Sequence, residues 1–252
     1  MESEVAALLM LGLAACIAGF FDVIAGGGGL ITVPALLAVG LSPLQAIATN
    51  KAQAMFGPLV SVTTLCRADH PLLKPTLKWL PVAIVFSAIG ALTATAVDES
   101  TFRYLIPLLM SLVFVVFVMP RVWIEKSTAY LPLRVRRVFY RINMLGVAFY
   151  DGLLGSGAGT LYATNGYVFK SQSATDATVV AKVWNLGSNV GGFAIFFAGS
   201  LINFKFALAM IIGQLLGSYA GSRFLLRDNQ AVIRLIVVLM SCALLARFWF
   251  ES

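Results

Sequence analysis

Eight long apolar runs divide this chain and restrict the folds that it can adopt. Each run is close to the ~20 residues that an α-helix needs to cross the hydrocarbon core of a bilayer. Only 12% of the 252 residues are charged, about half the share that is usual in soluble domains, which is too few to cover a water-exposed surface. The sequence therefore predicts an all-α, polytopic integral membrane protein. The runs span residues 5–25, 46–66, 77–97, 102–119, 138–154, 177–198, 204–225 and 231–250.

Two shorter apolar pieces, residues 30–40 and 160–169, each follow a glycine-rich stretch. At a rise of ~1.5 Å per residue, the longer of the two reaches about 16 Å, roughly half the hydrocarbon core. Both are therefore predicted to be half-helices, although the pattern leaves open whether they cross fully. A basic stretch in the middle of the chain separates two halves. In each half, the short piece follows the first long run.

The two halves of the chain repeat the same residues in the same order. An aromatic pair, an aspartate and a glycine recur at a constant offset of 129 residues, and a lysine within an apolar run recurs at an offset of 131. The matching residues are Phe20 and Phe149, Phe21 and Tyr150, Asp22 and Asp151, Gly26 and Gly155, and Lys51 and Lys182. This pattern predicts one membrane domain, residues 1–252, made by duplication. Its internal repeats are residues 1–126 and 127–252, each with four long transmembrane helices and one short half-helix.

The basic residues predict how the chain is oriented, because lysine and arginine concentrate in cytoplasmic loops. Placing the central basic stretch inside puts 13 of the 18 basic residues on that side and both termini outside. The two repeats are then inverted with respect to each other, which is an architecture of transporters. The 13 residues are Arg67, Lys74, Lys78, Arg121, Lys126, Arg134, Arg136, Arg137, Arg141, Lys170, Arg223, Arg227 and Arg234.

Four ionisable residues fall in or near the predicted membrane interior: Asp22, Lys51, Asp151 and Lys182. A charge there costs at least ~2.5–3.5 kcal/mol, so it is usually paired, neutralised or placed in a wet cavity. One interpretation is an Asp–Lys pair that ties the first helix to the third within each repeat. The other places the lysines as countercharge for a substrate and the two aspartates, Asp22 and Asp151, on a proton path.

The glycine-rich stretches are candidates for a substrate site. A bend before a half-helix leaves backbone N–H groups unbonded at the positive end of the helix dipole, which favours an anion. In inverted repeats both bends would approach the membrane midplane and form one site. The alternative is that the glycines only allow close helix packing. The predicted binding residues are Gly26, Gly27, Gly28, Gly29, Asn50, Lys51, Gly155, Ser156, Gly157, Gly159, Lys182, Asn185 and Asn189.

Enzymatic chemistry and metal binding are not predicted from this sequence. The three cysteines stand alone in apolar runs, and the single histidine, His70, lies in a basic loop, so neither a nucleophile with its base nor a metal cluster is apparent. No cofactor is expected. The net charge of +7 is assigned to loops rather than to nucleic-acid binding.

Both halves carry motifs that resemble the TauE/SafE sulfite exporter family. In the first half these are Gly19-Phe20-Phe21-Asp22, Gly26 to Gly29 with Pro34, and Ala48-Thr49-Asn50-Lys51; in the second half they are Phe149 to Gly152, the glycines at 155, 157 and 159, and Lys182 through Asn185 to Asn189. The resemblance covers essentially the whole chain. It implies a multi-pass bacterial inner-membrane protein, in a family whose members are linked to the export of sulfite, sulfonates or related sulfur anions. Ser156 stands where the family pattern has proline, and Val180-Ala181 replaces Thr49-Asn50 before the second lysine.

The predicted function is therefore a membrane transporter that exports a small sulfur-containing anion, with proton coupling as one mechanism. A membrane partner or assembly protein without transport activity is the alternative. The expected partners are the lipid bilayer and the small anion. The sequence leaves the oligomeric state open, with a homodimer as one option.

Overall fold

A computed structural model describes residues 2–118 and 131–225. These residues form α-helices joined by short turns, and no β-strand occurs among them, so the all-α prediction is confirmed there. The eighth predicted run, residues 231–250, lies outside the described residues. The helices are α1 Glu2–Ala25, α2 Gly29–Ala38, α3 Pro43–Ala54, α4 Phe56–Arg67, α5 Leu73–Leu77, α6 Leu80–Ala96, α7 Glu99–Val118, α8 Leu133–Leu153, α9 Ala158–Lys170, α10 Ala174–Ala198 and α11 Phe204–Leu225.

Helices α2 and α9 take the places of the two predicted half-helices, with 10 and 13 residues. By length and apolar composition, two stretches of the described chain are long enough to cross a membrane, Glu4–Ile24 in α1 and Phe204–Arg223 in α11. Two further helices, α2 and α6, are apolar but shorter. The four long spans in each half stay a prediction.

The apolar run at residues 46–66, expected as one continuous helix, is divided between α3 and α4 at Met55. Pro58 lies in the first turn of α4 and has no backbone N–H, so the carbonyl group of Ala54 has no helical donor at this point. The corresponding run in the second half contains no proline and forms the unbroken 25-residue α10. Hydropathy alone did not distinguish these two cases.

The two helices that carry the buried lysines begin with the same kind of cap. The Ser42 hydroxyl accepts a hydrogen bond from the backbone N–H of Gln45 (3.4 Å), and the Ser173 hydroxyl accepts one from Asp176 (3.1 Å). Serine satisfies N–H groups that the first turn of a helix leaves unbonded. The start of each lysine helix is therefore set by its local sequence.

Glycines let the outer helices pack backbone against backbone in two places. On α11, Gly213 and Gly217 lie against the α1 backbone at Gly12 and Cys16, while Gly90 on α6 lies against the α8 backbone at Phe149. In each contact a Cβ atom would overlap a carbonyl oxygen of the neighbouring helix. Small residues at such crossings are the usual means of close helix packing in membranes. The first helix of each half thus packs against a long helix of the other half, α1 against α11 and α8 against α6.

Large apolar side chains cover the outside of the bundle. They recur about one helical turn apart on α1, with Leu9 at 70% and Leu13 at 64% exposure, and on α11, with Leu208, Ile212 and Leu216 at 61–63%. In a soluble protein such a stripe would be a large exposed apolar patch. In a bilayer the same stripe faces acyl chains, which agrees with a membrane protein.

Candidate functional site

The two glycine-rich breaks are in direct contact inside the bundle. The carbonyl oxygen of Gly26, in the break before α2, accepts a hydrogen bond from the backbone N–H of Thr160 in α9 (3.2 Å). The carbonyl oxygen of Gly29 accepts one from the Ser156 hydroxyl (3.3 Å). Segments separated by about half the chain therefore form one buried junction.

This junction requires glycine for two physical reasons. Gly26 has a φ of +79°, a left-handed conformation that side chains with a Cβ rarely adopt. A Cβ atom at Gly26 would also lie 2.5 Å from the carbonyl carbon of Gly159, and one at Gly159 would lie 2.9 Å from Gly26 Cα. The glycines therefore permit both the bend and the close approach of the two breaks.

The four buried charges form two ion pairs, and both pairs cross between the halves. Lys51 in α3 pairs with Asp151 in α8, and Lys182 in α10 pairs with Asp22 in α1. The interpretation of a lysine paired with the aspartate of its own repeat is therefore wrong. Each ion pair thus links the first helix of one half to the lysine helix of the other half.

The Lys51–Asp151 pair is fully buried, with both side chains at 0% exposure. The Ser188 hydroxyl donates to the second carboxylate oxygen of Asp151, and the Lys51 ammonium also donates to Oδ1 of Asn189 (3.3 Å). An ion pair without water is tolerated only when further hydrogen bonds complete it. Ser188 and Asn189 supply them here.

The Lys182–Asp22 pair is nearly as buried and is built in a similar way. Lys182 Nζ lies 3.1 Å from Asp22 Oδ2 and also donates to the backbone carbonyl of Asp22. The other carboxylate oxygen, Asp22 Oδ1, accepts the backbone N–H of Gly28 at 3.4 Å. This last contact ties the Lys182–Asp22 pair directly to the first glycine break.

A small cavity lies where the two breaks and the lysine helices meet. The space open to the centre of a water molecule is about 20 Å³, enough for about one water and too small for an oxyanion of four or five heavy atoms. The lining residues are mostly glycines and amides: Asp22, Gly26, Gly28, Gly29, Asn50, Gln53, Ala54, Gly155, Gly157, Ala158, Gly159, Asn185, Asn189 and Gln214.

The asparagines beside this cavity are oriented by their neighbours. Asn50 Oδ1 accepts hydrogen bonds from the Thr32 hydroxyl (2.6 Å) and from Gln53 Nε2 (2.7 Å). Asn185 Oδ1 accepts one from Asn189 Nδ2 (2.8 Å). Because the oxygens of Asn50 and Asn185 are engaged, their NH2 groups are the parts left to donate to a ligand.

Backbone donors and amide acceptors at the cavity also lack partners. The N–H groups of Gly29, Ala158 and Gly159 lie at the N-termini of α2 and α9 and form no hydrogen bond within the described part of the chain. The buried side-chain oxygens of Gln53 and Gln214 have no donor among the described residues either. The cavity is thus rich in unused donors and holds two unused acceptors.

Most of the predicted binding residues line the cavity, and some do not. Nine predicted glycine and asparagine positions are on its surface, together with Asp22. Gly27, Lys51, Ser156, Lys182 and Asp151 are not part of the lining, although a Cβ at Gly155 would lie only 2.8 Å from Lys51 Nζ. Sequence reasoning missed Gln214, whose signal was a lone amide within the apolar run at 204–225.

Broken helices that meet beside buried charges, within an apolar helical bundle, define the class of this protein as a membrane transporter. The chain belongs to the sulfite exporter TauE/SafE family, whose model matches residues 11–248. The family places it among transporters rather than enzymes.

Several curated relatives agree with this assignment. The chain is 34% identical to the probable membrane transporter protein ORF9 of Sinorhizobium sp over 242 residues, covering 95% of this chain and 91% of the relative. It is 34% identical to the probable membrane transporter protein YfcA of Escherichia coli K12 over 252 residues, covering 97% and 91%. A probable membrane transporter protein of Haemophilus influenzae is 33% identical over 243 residues, covering 94% and 92%. No solved structure gives a significant match.

Proposed function

We propose that this protein exports a small anion, such as sulfite, a sulfonate or a related sulfur compound, through the site where the two glycine breaks meet. The observation that carries the proposal is the contact between the breaks, which brings unused donors from both half-helices to one cavity. Sulfur oxyanions present several acceptor oxygens, which match such a set of donors. The family assignment supports the same class of substrate.

The donor set favours an anion over a neutral ligand. Two half-helices point their N-termini, with unbonded N–H groups, at the cavity, and each carries the positive end of a helix dipole. The NH2 groups of Asn50 and Asn185 add one donor from each half. The acceptors Gln53 and Gln214 suit a ligand or water that carries at least one hydrogen, such as a protonated oxyanion.

The crossed ion pairs supply a mechanism for proton coupling. While Asp22 and Asp151 are ionised, each neutralises a lysine, so the four charges sum to zero at the site. Protonation of either aspartate would release its lysine as countercharge for the anion. Proton uptake and anion binding are then linked, and each strengthens the other by the same factor.

Transport requires the cavity to open, because its present volume is too small for the anion. We infer that the two halves are inverted repeats that move against each other around the junction. The matching contacts of Gly90 and Gly217 with the first helix of the opposite half support this relationship. The proposed setting is the bacterial inner membrane, with the basic loops inside and both termini outside.

The proposal is tested by anion binding to the purified protein as a function of pH. Sulfate and methanesulfonate are suitable probes because they keep their charge across the range, and a bound anion raises the melting temperature by mass action. With one proton taken up per anion, we expect the affinity to rise by up to about tenfold for each unit that the pH falls. Affinity independent of pH in the wild-type protein would contradict the coupling mechanism.

The variants Asp151→Asn and Asp22→Asn test the same mechanism by removing the carboxyl groups that would take up the proton. An amide mimics the neutral aspartic acid, so each variant should bind the anion while losing the proton dependence of its flux in reconstituted vesicles. Asp69→Asn is the matched control, because Asp69 pairs with Lys74 on the surface, where both side chains are 82% exposed. Normal proton-dependent transport by both buried variants would remove the aspartates from the mechanism. Failure of every anion to bind well-folded protein would favour the non-transport alternative.

A further inference from the structure

A second and much larger cavity lies at one end of the bundle, between α5, α8, α9 and the start of α10. The space open to the centre of a water molecule is about 800 Å³, which is within the range of sites for large organic ligands. This cavity shares no lining residue with the junction of the glycine breaks. Under the orientation that the basic loops predict, it opens toward the cytoplasmic leaflet.

The cavity is strongly cationic. Four basic residues line it, namely Arg136, Arg137, Arg141 and Lys170, and the described lining contains no acidic residue. None of the four forms an ion pair within residues 2–118 and 131–225. Like charges gathered without a carboxylate repel one another, so an anion that enters between them relieves that repulsion.

Two of the basic side chains are held in place by contacts that leave their charge uncompensated. The Nη2 amino group of Arg136 donates to the carbonyl of Val168 (3.2 Å) and to the Ser171 hydroxyl (2.8 Å). Lys170 Nζ lies 4.4 Å from the centre of the Tyr140 ring. These contacts orient the cations without neutralising them.

A buried donor at the same place lacks an acceptor. The Nε–H group of Arg136 is buried and has no hydrogen-bond partner in the described structure. A buried unmade hydrogen bond to a charged group is costly, so such a donor indicates a position that an acceptor normally fills. An anionic oxygen in the cavity would fill it.

The remaining wall of the cavity is apolar and aromatic. Trp79 and Trp184 stack with their ring centres 6.2 Å apart, and Met144, Leu145 and Phe169 extend the same surface. A small hydrated anion gains nothing from this wall. The combination of cations with an apolar wall suits a ligand that has an anionic head and a hydrocarbon tail.

We propose that this cavity binds an anionic phospholipid of the inner leaflet, with the phosphate at Arg136, Arg137, Arg141 and Lys170 and an acyl chain along Trp79 and Trp184. Basic cavities between transmembrane helices on the cytoplasmic side are suited to anionic head groups. The volume, several times that of a small oxyanion, and the apolar wall favour a lipid over free phosphate. This inference stands independently of the transport substrate.

The test uses the purified full-length protein in a neutral detergent. Native mass spectrometry counts bound lipid, and thermal unfolding measures stabilisation, during titration with dioleoyl phosphatidylglycerol, dioleoyl phosphatidylcholine or sodium phosphate. We expect phosphatidylglycerol to bind and stabilise, and the other two to have little effect. Arg137→Gln/Arg141→Gln should weaken phosphatidylglycerol binding by about tenfold or more.

Arg67→Gln/Arg134→Gln is the matched control, because it removes the same charge from exposed positions that do not line the cavity. It should bind phosphatidylglycerol within about twofold of the wild-type protein, since more distant surface charges are screened by salt. Trp79→Ala, which removes part of the apolar wall and no charge, should reduce the preference for dioleoyl over dihexanoyl phosphatidylglycerol.

Three results would overturn the proposal. Equal binding of phosphatidylcholine would mean that the head group is not recognised. Stabilisation by sodium phosphate as strong as that by phosphatidylglycerol would make this a site for free anions. An equal loss in the control with both Arg67 and Arg134 replaced would attribute binding to overall charge rather than to the cavity.

Discussion

Replacing Lys51 by methionine is expected to destabilise the protein by about 3–5 kcal/mol and to abolish anion binding. The carboxylate of Asp151 would lose its ammonium partner at a position where neither side chain is exposed. Ser188 still donates to that carboxylate, but one neutral hydroxyl does not offset an unpaired buried charge. Chemical unfolding in mixed micelles measures the free energy, and thermal shift with sulfate or methanesulfonate measures binding.

The double variant Lys51→Met/Asp151→Asn separates the structural role of the pair from its functional role. Both charges are absent, so most of the lost stability should return, because replacing a complete buried pair by neutral groups is often nearly neutral. Anion binding should stay lost, since the second substitution restores no ammonium group for the anion to meet. A double variant that binds and transports like the wild-type protein would show the pair to be only a link between the halves.

Lys205→Met is the surface control for these measurements. Lys205 pairs with Glu4, but both side chains are about half exposed, and such pairs contribute less than about 1 kcal/mol. We expect this variant to unfold and bind like the wild-type protein. A large loss in Lys205→Met would mean that removing any lysine impairs the protein, which would contradict the special role assigned to Lys51.

Gly26→Ala is expected to have the second large effect, a destabilisation of about 2–5 kcal/mol together with loss of anion binding. Part of the cost is the left-handed backbone, about 1–2 kcal/mol for a residue with a Cβ. The rest is overpacking, about 1–3 kcal/mol, because the new methyl group would lie 2.5 Å from the carbonyl carbon of Gly159. The two breaks would have to separate, and the donors at the cavity would separate with them.

Gly40→Ala is the matched control for Gly26→Ala. Gly40 has a similar φ of +88°, but a Cβ atom there meets nothing within 4 Å. This variant therefore carries the backbone strain without the collision, and it should lose about 1–2 kcal/mol and bind the anion normally. If the two variants were equally stable and bound the anion equally well, close contact between the breaks would not matter to the site.

Much of the candidate site could be predicted from the sequence because its signals are local. Glycines beside short apolar runs indicate broken helices, and a charge within an apolar run stands out at any position. Asp22, Lys51, Asp151 and Lys182 were found in this way, and so were both glycine breaks. The division of residues 46–66 into two helices also has a local signal, Pro58. Average hydropathy does not show it, because the loss of one backbone N–H group leaves the run apolar.

The pairing of those residues could not be predicted in the same way. Lys51 and Asp151 are 100 residues apart, and Lys182 and Asp22 are 160 residues apart, so their contacts depend on which helices become neighbours. Gln214 and Gly19 come together for the same reason, through the packing of α11 on α1.

An all-helical membrane protein, the two glycine breaks before short helices, and the charged residues inside the bundle could all be predicted from the sequence alone. Hydrophobic run length and glycine content depend on a few neighbouring residues, so they can be read along the chain. The crossing of the ion pairs between the halves, the contact between the breaks and the small volume of the cavity beside them are apparent only in the tertiary structure. These features arise from packing between distant segments, where backbone contacts of a few ångströms select one set of partners.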